Sequence, residues 1–135
     1  MRKPIFTGIW KFRSDKSSLQ VEPPDESVFV IDHRDPVFKM SRTHVVGGKR
    51  DTLELDLTTD GKEISVERGD LRFRSRTFWD GEILVFETNL VQGGKEGLNI
   101  VRYTLTESGD SLSAVERFRS KDLNYDNTWV LDKQK

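Results

Sequence analysis

The chain has 135 residues, which is enough for one domain with a sizeable core. It contains no cysteine, and this excludes disulfides, thiolate catalysis and cysteine-ligated zinc. The 22 basic and 23 acidic residues are mixed along the sequence, so the net charge of −1 produces no basic field that would favour nucleic acid. No apolar run approaches the length of a membrane-spanning helix. We therefore expect a single domain over residues 1–135, with no nucleic-acid partner and no membrane insertion.

The chain opens with a segment that alternates apolar and polar side chains. In residues 6–13, Gly8 and Trp10 share the apolar face, which predicts a half-buried strand. Glycine lets the backbone bend tightly at a closed barrel end, and the indole fills that end from inside. The polar segment 14–26 contains Pro23 and Pro24, so it predicts a loop.

Nine further strands follow, separated by short turns rich in Gly, Asp and Pro. They are predicted over residues 27–33, 37–46, 52–58, 63–67, 71–79, 82–91, 98–106, 111–120 and 127–132. The Asp60-Gly61 and Asp80-Gly81 pairs predict tight hairpins, because Asp-Gly accepts the positive φ values of a two-residue turn. No segment shows the periodicity of an amphipathic helix.

Short connections throughout predict an all-β, up-and-down antiparallel meander of eight to ten strands. A meander of this length hides its edges by closing into a barrel, so we expect residues 127–132 to pair with residues 6–13. A two-sheet sandwich is the main alternative. It normally needs Greek-key crossings, and no linker here is long enough to suggest one.

Several short motifs occur in a fixed order along nearly the whole chain. They are Phe6-Thr7-Gly8-Ile9-Trp10-Lys11, Thr59-Asp60-Gly61-Lys62-Glu63, Phe78-Trp79-Asp80-Gly81, Ser108-Gly109-Asp110-Ser111-Leu112 and Asn127-Thr128-Trp129-Val130-Leu131. In this order they resemble the bacterial lipocalin-like domains of the calycin superfamily, particularly those of acidobacteria. More distantly, the chain is similar to fatty-acid-binding proteins, which also begin with Gly-x-Trp-Lys.

The resemblance implies a lipocalin-like barrel that binds a ligand. It implies that an arginine, Arg117 or Arg119, packs across Trp10. Fatty-acid-binding proteins place two helices between the first and second strands, whereas a short Pro-rich segment stands there in this chain, so we expect no helical lid. Members of the bacterial family often carry export signals, which points to export. Residues 1–4 lead straight into the first strand rather than into a signal-peptide core, so the compartment stays open.

Alternation also places polar side chains on the same face as apolar ones. Arg42 and His44 share a face with Phe38 and Met40, and Glu116 shares one with Phe118. Charged groups inside a barrel are costly unless a partner, water or a ligand meets them. The predicted ligand-binding set is Phe38, Met40, Arg42, His44, Trp79, Phe86, Tyr103 and Glu116. The alternative is that the arginine and the glutamate reach solvent or form a structural pair.

Other conspicuous side chains have a structural interpretation. Arg72, Arg74 and Arg76 alternate like an anion-binding stripe, but nearby acidic residues favour a salt-bridged outer face. Trp79 is expected at a barrel rim and Trp129 outside the barrel. The two histidines, His33 and His44, do not have the spacing of a metal site, a haem site or a catalytic triad, so we predict no metal and no cofactor.

The sequence therefore predicts that the barrel interior binds a small hydrophobic or amphipathic molecule, with no evident catalysis, in a monomer or weak dimer. One alternative is an isomerase- or hydrolase-like enzyme with Glu116 as acid or base beside Arg42 or Tyr103. Another is a barrel packed solid that serves protein contacts. Interior volume separates the binding barrel from the solid one, because eight strands are nearly filled by side chains and ten leave room.

Overall fold

The computed structural model describes residues 3–135, which form ten antiparallel strands in one sheet. The strands are β1 Gly8–Phe12, β2 Glu26–Arg34, β3 Val37–Val46, β4 Lys49–Thr58, β5 Ile64–Arg68, β6 Leu71–Asp80, β7 Ile83–Gln92, β8 Lys95–Leu105, β9 Ser111–Ser120 and β10 Asn124–Lys133. Residues 3–135 contain no helix. Accordingly, no helix in this part of the chain is long and apolar enough to cross a membrane.

The sheet curls into a nearly closed barrel because the first and last strands pair. The strand order is β4-β3-β2-β1-β10-β9-β8-β7-β6-β5. Trp10 lies opposite Lys133 and Phe12 lies opposite Leu131. The amides of Arg13 and Gln134 extend this pairing by donating to the carbonyls of Val130 and Ile9, at 2.8 Å each. The predicted up-and-down barrel is thereby confirmed, and the two-sheet sandwich is wrong.

The predicted hairpin at Asp60-Gly61 is wrong, because β4 and β5 are the two ends of the strand order and do not pair. We call the line where these two edges face each other the seam. The link between them is bound on both sides. The Thr59 amide donates to the Pro36 carbonyl at 2.8 Å, and the Gly61 amide donates to the Thr77 carbonyl at 2.9 Å. The link thus joins the β2–β3 turn to β6.

The loop between β1 and β2 covers part of one barrel end, without a helix. Ser18 and Thr128 exchange two backbone hydrogen bonds, of 2.9 and 2.7 Å. Leu19 packs against the core, and the Gln20 amide donates to Asn127 Oδ1 at 2.8 Å. The predicted Pro-rich loop therefore lies over β10. We call this end, which also carries the β3–β4 and β7–β8 turns, the open end.

Trp10 fills the opposite, closed end. Its side chain is 0% exposed, and its indole N–H donates to the Phe6 carbonyl at 2.9 Å. Gly8 has a φ of +152°, and a Cβ at this position would lie 3.0 Å from Lys133 Cε. A side chain at position 8 would therefore strain the backbone and crowd the cap.

The expected arginine on Trp10 is wrong, because Lys133 Nζ lies over the indole ring, 5.7 Å from its centroid. Arg117 and Arg119 both pair with Asp126 instead. Both alternate with the inward-facing Glu116, so they lie on the outer face, and β9 carries them away from the closed end. Lys133 reaches Trp10 because the two residues are direct cross-strand partners.

Replacing Trp10 by alanine is expected to destabilise the protein by about 3–5 kcal/mol, since it removes a fully buried indole and leaves a cavity. The free energy of unfolding measured in urea tests this. Ile9→Ala is the matched control, because Ile9 is exposed on the same strand and its loss is expected to cost much less. An unchanged unfolding midpoint for Trp10→Ala contradicts the proposed cap.

Candidate functional site

The barrel interior contains a cavity of about 270 Å³. The apolar side chains of the two seam strands form one wall, with Leu53 and Leu55 on β4 and Ile64 and Val66 on β5. The barrel is therefore not packed solid.

Glu116 forms the polar centre of the cavity wall. Its Oε1 accepts hydrogen bonds from Asn127 Nδ2 at 2.9 Å and from Trp129 Nε1 at 3.0 Å. Its Oε2 accepts one from Asn99 Nδ2 at 3.1 Å. These three donors are neutral, and they stabilise an ionised carboxylate without a counter-ion. The arrangement fixes the orientation of all four side chains.

Arg42 borders the same cavity and carries the opposite charge. None of the ion pairs or hydrogen bonds among residues 3–135 involves its guanidinium, and its Nε is buried without a protein partner. Arg42 and Glu116 both act electrostatically on the hydroxyls of Tyr103 and Tyr125. The cation and the carboxylate therefore face one region of the interior without pairing.

His44 lies next to this region and stacks on Trp129, with ring centroids 5.8 Å apart and an interplanar angle of 20°. Burial, together with the charge of Arg42, lowers the pKa of His44 to about 4. The imidazole is therefore neutral at neutral pH. The prediction that Trp129 lies outside is wrong, because Trp129 alternates in step with the buried Asn127 and Leu131 and faces inward.

Tyr103 lies deeper in the cavity wall and is buried. Its hydroxyl points to Met40 Sδ at 3.6 Å, and its ring packs on Phe86 with centroids 4.5 Å apart. Burial raises the pKa of Tyr103 far above the ordinary value of 10.0, so the phenol keeps its proton and can donate a hydrogen bond.

Five of the eight predicted ligand-binding residues border the cavity, namely Met40, Arg42, Phe86, Tyr103 and Glu116. The other three do not. Phe38 is fully buried behind Phe86, and His44 is in the Trp129 stack. Trp79 belongs to the closed end, where its ring stacks on Phe6 and on His33. Trp79 therefore does not border this cavity.

A second polar cluster holds the closed end together. Asp35 Oδ1 accepts hydrogen bonds from Thr59 Oγ1 at 2.7 Å, from His33 Nε2 at 3.1 Å and from Trp79 Nε1 at 3.1 Å. The Phe6 amide donates to His33 Nδ1, which fixes the imidazole with its proton on Nε2. Burial alone raises the pKa of Asp35, but the three donors outweigh it and lower that pKa below its ordinary value.

The two histidines lie at opposite ends of the β2–β3 hairpin, since His33 is opposite Phe38 and His44 is opposite Ser27. They cannot share a metal ion. Among residues 3–135 no group of three or more His, Asp or Glu side chains is arranged to hold one. On the outer face, Arg72 pairs with Glu67 and Arg76 with Glu87, as predicted for a salt-bridged stripe.

Sequence reasoning missed two residues that hold Glu116, and undervalued a third. Asn99 alternates in step with the inward-facing Val101 and Tyr103 on β8, and Asn127 does so with Leu131 on β10. Period two along each strand was thus the available signal for both asparagines. Trp129 follows the same alternation, since it lies between Asn127 and Leu131 at every second position of β10.

No protein-family model and no curated protein matches the sequence. Among solved structures, the chain is similar to secretory abundant heat soluble protein 4 from Ramazzottius varieornatus, with 15% identity, a TM-score of 0.67 and coverage of 100% of this chain and 99% of that chain. A second secretory abundant heat soluble protein from this organism has 11% identity, a TM-score of 0.63 and coverage of 95% and 94%. Zebrafish ileal bile acid-binding protein, complexed with cholic acid, has 14% identity, a TM-score of 0.58 and coverage of 96% and 98%.

At these identities the likeness shows the fold alone. It confirms the up-and-down antiparallel barrel, which the chain shares with these three structures. The neighbours give no support to the finer prediction of a bacterial lipocalin-like family.

The depressed pKa of His44 makes stability depend on pH. The unfolded chain protonates this imidazole near 6.5 and the folded chain near 4, so the stability that neutral His44 supports is lost as the pH falls through this interval. We expect His44→Gln to flatten the dependence of the free energy of unfolding on pH between these two values. Urea unfolding of both proteins at several pH values measures this pH dependence. A His44 NMR titration with an ordinary midpoint near 6.5 contradicts the assignment.

Proposed function

We propose that the barrel binds one small amphipathic molecule, with a negatively charged group at Arg42 and an apolar part along the seam wall. One observation carries the proposal, namely the Arg42 guanidinium at the cavity without a protein partner. The Arg42 side chain is half-buried, its Nε is covered without an acceptor, and a buried N–H without an acceptor costs free energy. A ligand anion would supply the missing acceptor.

Glu116 does not take this role for Arg42. No oxygen of Glu116 lies within ion-pair distance of the guanidinium in the described part of the chain, and three neutral donors already bind the carboxylate. Hydrogen bonds from neutral donors do not cancel the charge of Glu116, but they occupy its oxygens, whereas the Arg42 guanidinium has no acceptor among the protein atoms of residues 3–135. The free N–H donors of Arg42 therefore favour a ligand group that accepts hydrogen bonds, such as a carboxylate.

The cavity dimensions restrict the apolar part of the ligand. Small-molecule sites commonly have volumes of about 300–1,000 Å³, and this cavity, at about 270 Å³, is just below that range. We therefore propose a short alkyl chain or a single ring as the apolar part. The bound cholic acid in the zebrafish protein supports the general idea that a barrel of this fold holds an amphipathic anion.

We propose further that residues 1–135 form a single domain and that the protein is a monomer or a weak dimer. We also propose that it belongs to the bacterial lipocalin-like family and is exported, as membership of that family implies. The ordered motifs of the sequence are the support for that family.

Isothermal titration calorimetry with octanoate tests the proposed site. We expect one molecule to bind per barrel, and Arg42→Met to weaken binding about 10- to 100-fold, because a hydrogen bond to a charged group contributes about 1.5–3 kcal/mol. Arg74→Met is the matched control, since Arg74 lies on the outer face of β6 and its loss is expected to leave the affinity unchanged.

A stability measurement accompanies this comparison. Because Arg42 has no protein partner, Arg42→Met is expected to unfold at the same temperature as the parent protein or at a higher one. Octanoate affinity that is equal in the parent, Arg42→Met and Arg74→Met contradicts the proposed function. A fall in melting temperature for Arg42→Met alone shows that the guanidinium stabilises the fold and contradicts the premise of the proposal.

A further inference from the structure

We infer that the ligand head group carries a hydrogen-bond donor beside its negative charge, as the head of a 2-hydroxy acid does. This inference rests on the proposed function and names the ligand class for the same site. Its basis is Asn99, which borders the same cavity as Arg42 and whose amide oxygen is a hydrogen-bond acceptor without a partner.

Glu116 fixes the orientation of the Asn99 amide. Asn99 Nδ2 donates to Glu116 Oε2 at 3.1 Å, and the flipped amide would place an oxygen against that carboxylate oxygen. Asn99 Oδ1 is therefore the atom left over. It is buried and has no hydrogen-bond partner among the protein atoms of residues 3–135. The cavity wall thus contains a fixed acceptor without a donor, and a ligand group reaches it by displacing the side chains that cover it.

Arg42 and Asn99 approach the same region from two walls. Both border the cavity of about 270 Å³, with Arg42 on β3 and Asn99 on β8. The Asn99 amide is bonded to Glu116, and Glu116 and Arg42 both act on the Tyr103 hydroxyl. A small head group between the two walls lies beside the guanidinium donors, and it meets the amide acceptor when the side chains that cover Asn99 Oδ1 move aside.

A plain carboxylate satisfies only half of this site. It accepts hydrogen bonds from Arg42 and leaves Asn99 Oδ1 buried without a donor, which carries the cost of an unpaired polar group. A hydroxyl on the carbon next to the carboxylate is the simplest donor that a carboxylic acid can carry beside its charge. The same hydroxyl makes the molecule more polar, so simple partitioning into an apolar cavity would weaken binding. Specific recognition therefore predicts that the hydroxyl strengthens binding, whereas non-specific partitioning predicts that it weakens binding.

The experiment compares octanoate with the two enantiomers of 2-hydroxyoctanoate by calorimetry. In the parent protein we expect one enantiomer to bind about three- to tenfold more tightly than octanoate, which corresponds to one net hydrogen bond. Asn99→Ala is expected to abolish this preference, measured as the ratio of the 2-hydroxyoctanoate and octanoate affinities within the same variant, whatever the change in octanoate affinity itself. Asn89→Ala, on the exposed outer face of β7, is the matched control and is expected to keep the preference.

The possible outcomes distinguish this inference from the proposed function on which it rests. If octanoate binds and Arg42→Met weakens it, but neither enantiomer binds more tightly than octanoate, the donor inference is overturned and the proposed function stands. If a preference exists and survives in Asn99→Ala, the inference is also overturned, because another group then recognises the hydroxyl. If none of the three acids binds to the parent protein, the proposed function fails and the inference falls with it.

Discussion

The antiparallel pairing of β1 with β10 is the contact on which the rest of the structure depends. Three residue pairs, from Trp10–Lys133 to Phe12–Leu131, join two meanders that are otherwise built from local hairpins. Without this joint the inward faces of β1–β4 and β5–β10 would both be open to water. With it, they enclose one interior, and Trp10 and Phe12 stand on its inner side. The interior is thus the product of the most non-local contact in the chain.

Two polar clusters in this interior differ in how completely they are hydrogen-bonded. At the closed end, the Asp35 carboxylate receives three hydrogen bonds, and the His33 imidazole uses both ring nitrogens. At the cavity, Glu116 is equally well bonded, but Arg42 Nε and Asn99 Oδ1 have no protein partner. A fold that satisfies one polar cluster and leaves atoms of another unpaired is consistent with stabilisation at the first and recognition at the second.

Period-two alternation predicted the inward faces of β3, β7 and β9, because no bulge interrupts the register of those strands, whereas on β8 two apolar faces compete in the sequence. Arg42 and Glu116 could therefore be placed inside from the sequence. The seam could not, because Asp60-Gly61 reports only local turn chemistry, whereas Pro36 and Thr77 decide where the link lies. The donors around Glu116 lie on its two neighbouring strands, with Asn127 as its direct cross-strand partner on β10 and Asn99 two residues from its partner on β8. Finding them required the pairing register, which alternation within one strand does not give.

The seam gives the barrel a direction of least stiffness. Nine strand pairs form ladders around the wall, but β4 and β5 contribute none to each other, so the structure is a curled strip rather than a tube. Widening the strip separates apolar side chains such as Leu55 and Ile64 and breaks no ladder hydrogen bond. The circumference can therefore adjust along one line, which runs beside the cavity. A ligand larger than the cavity is therefore accommodated first by separation of β4 from β5, while the paired strands keep their arrangement.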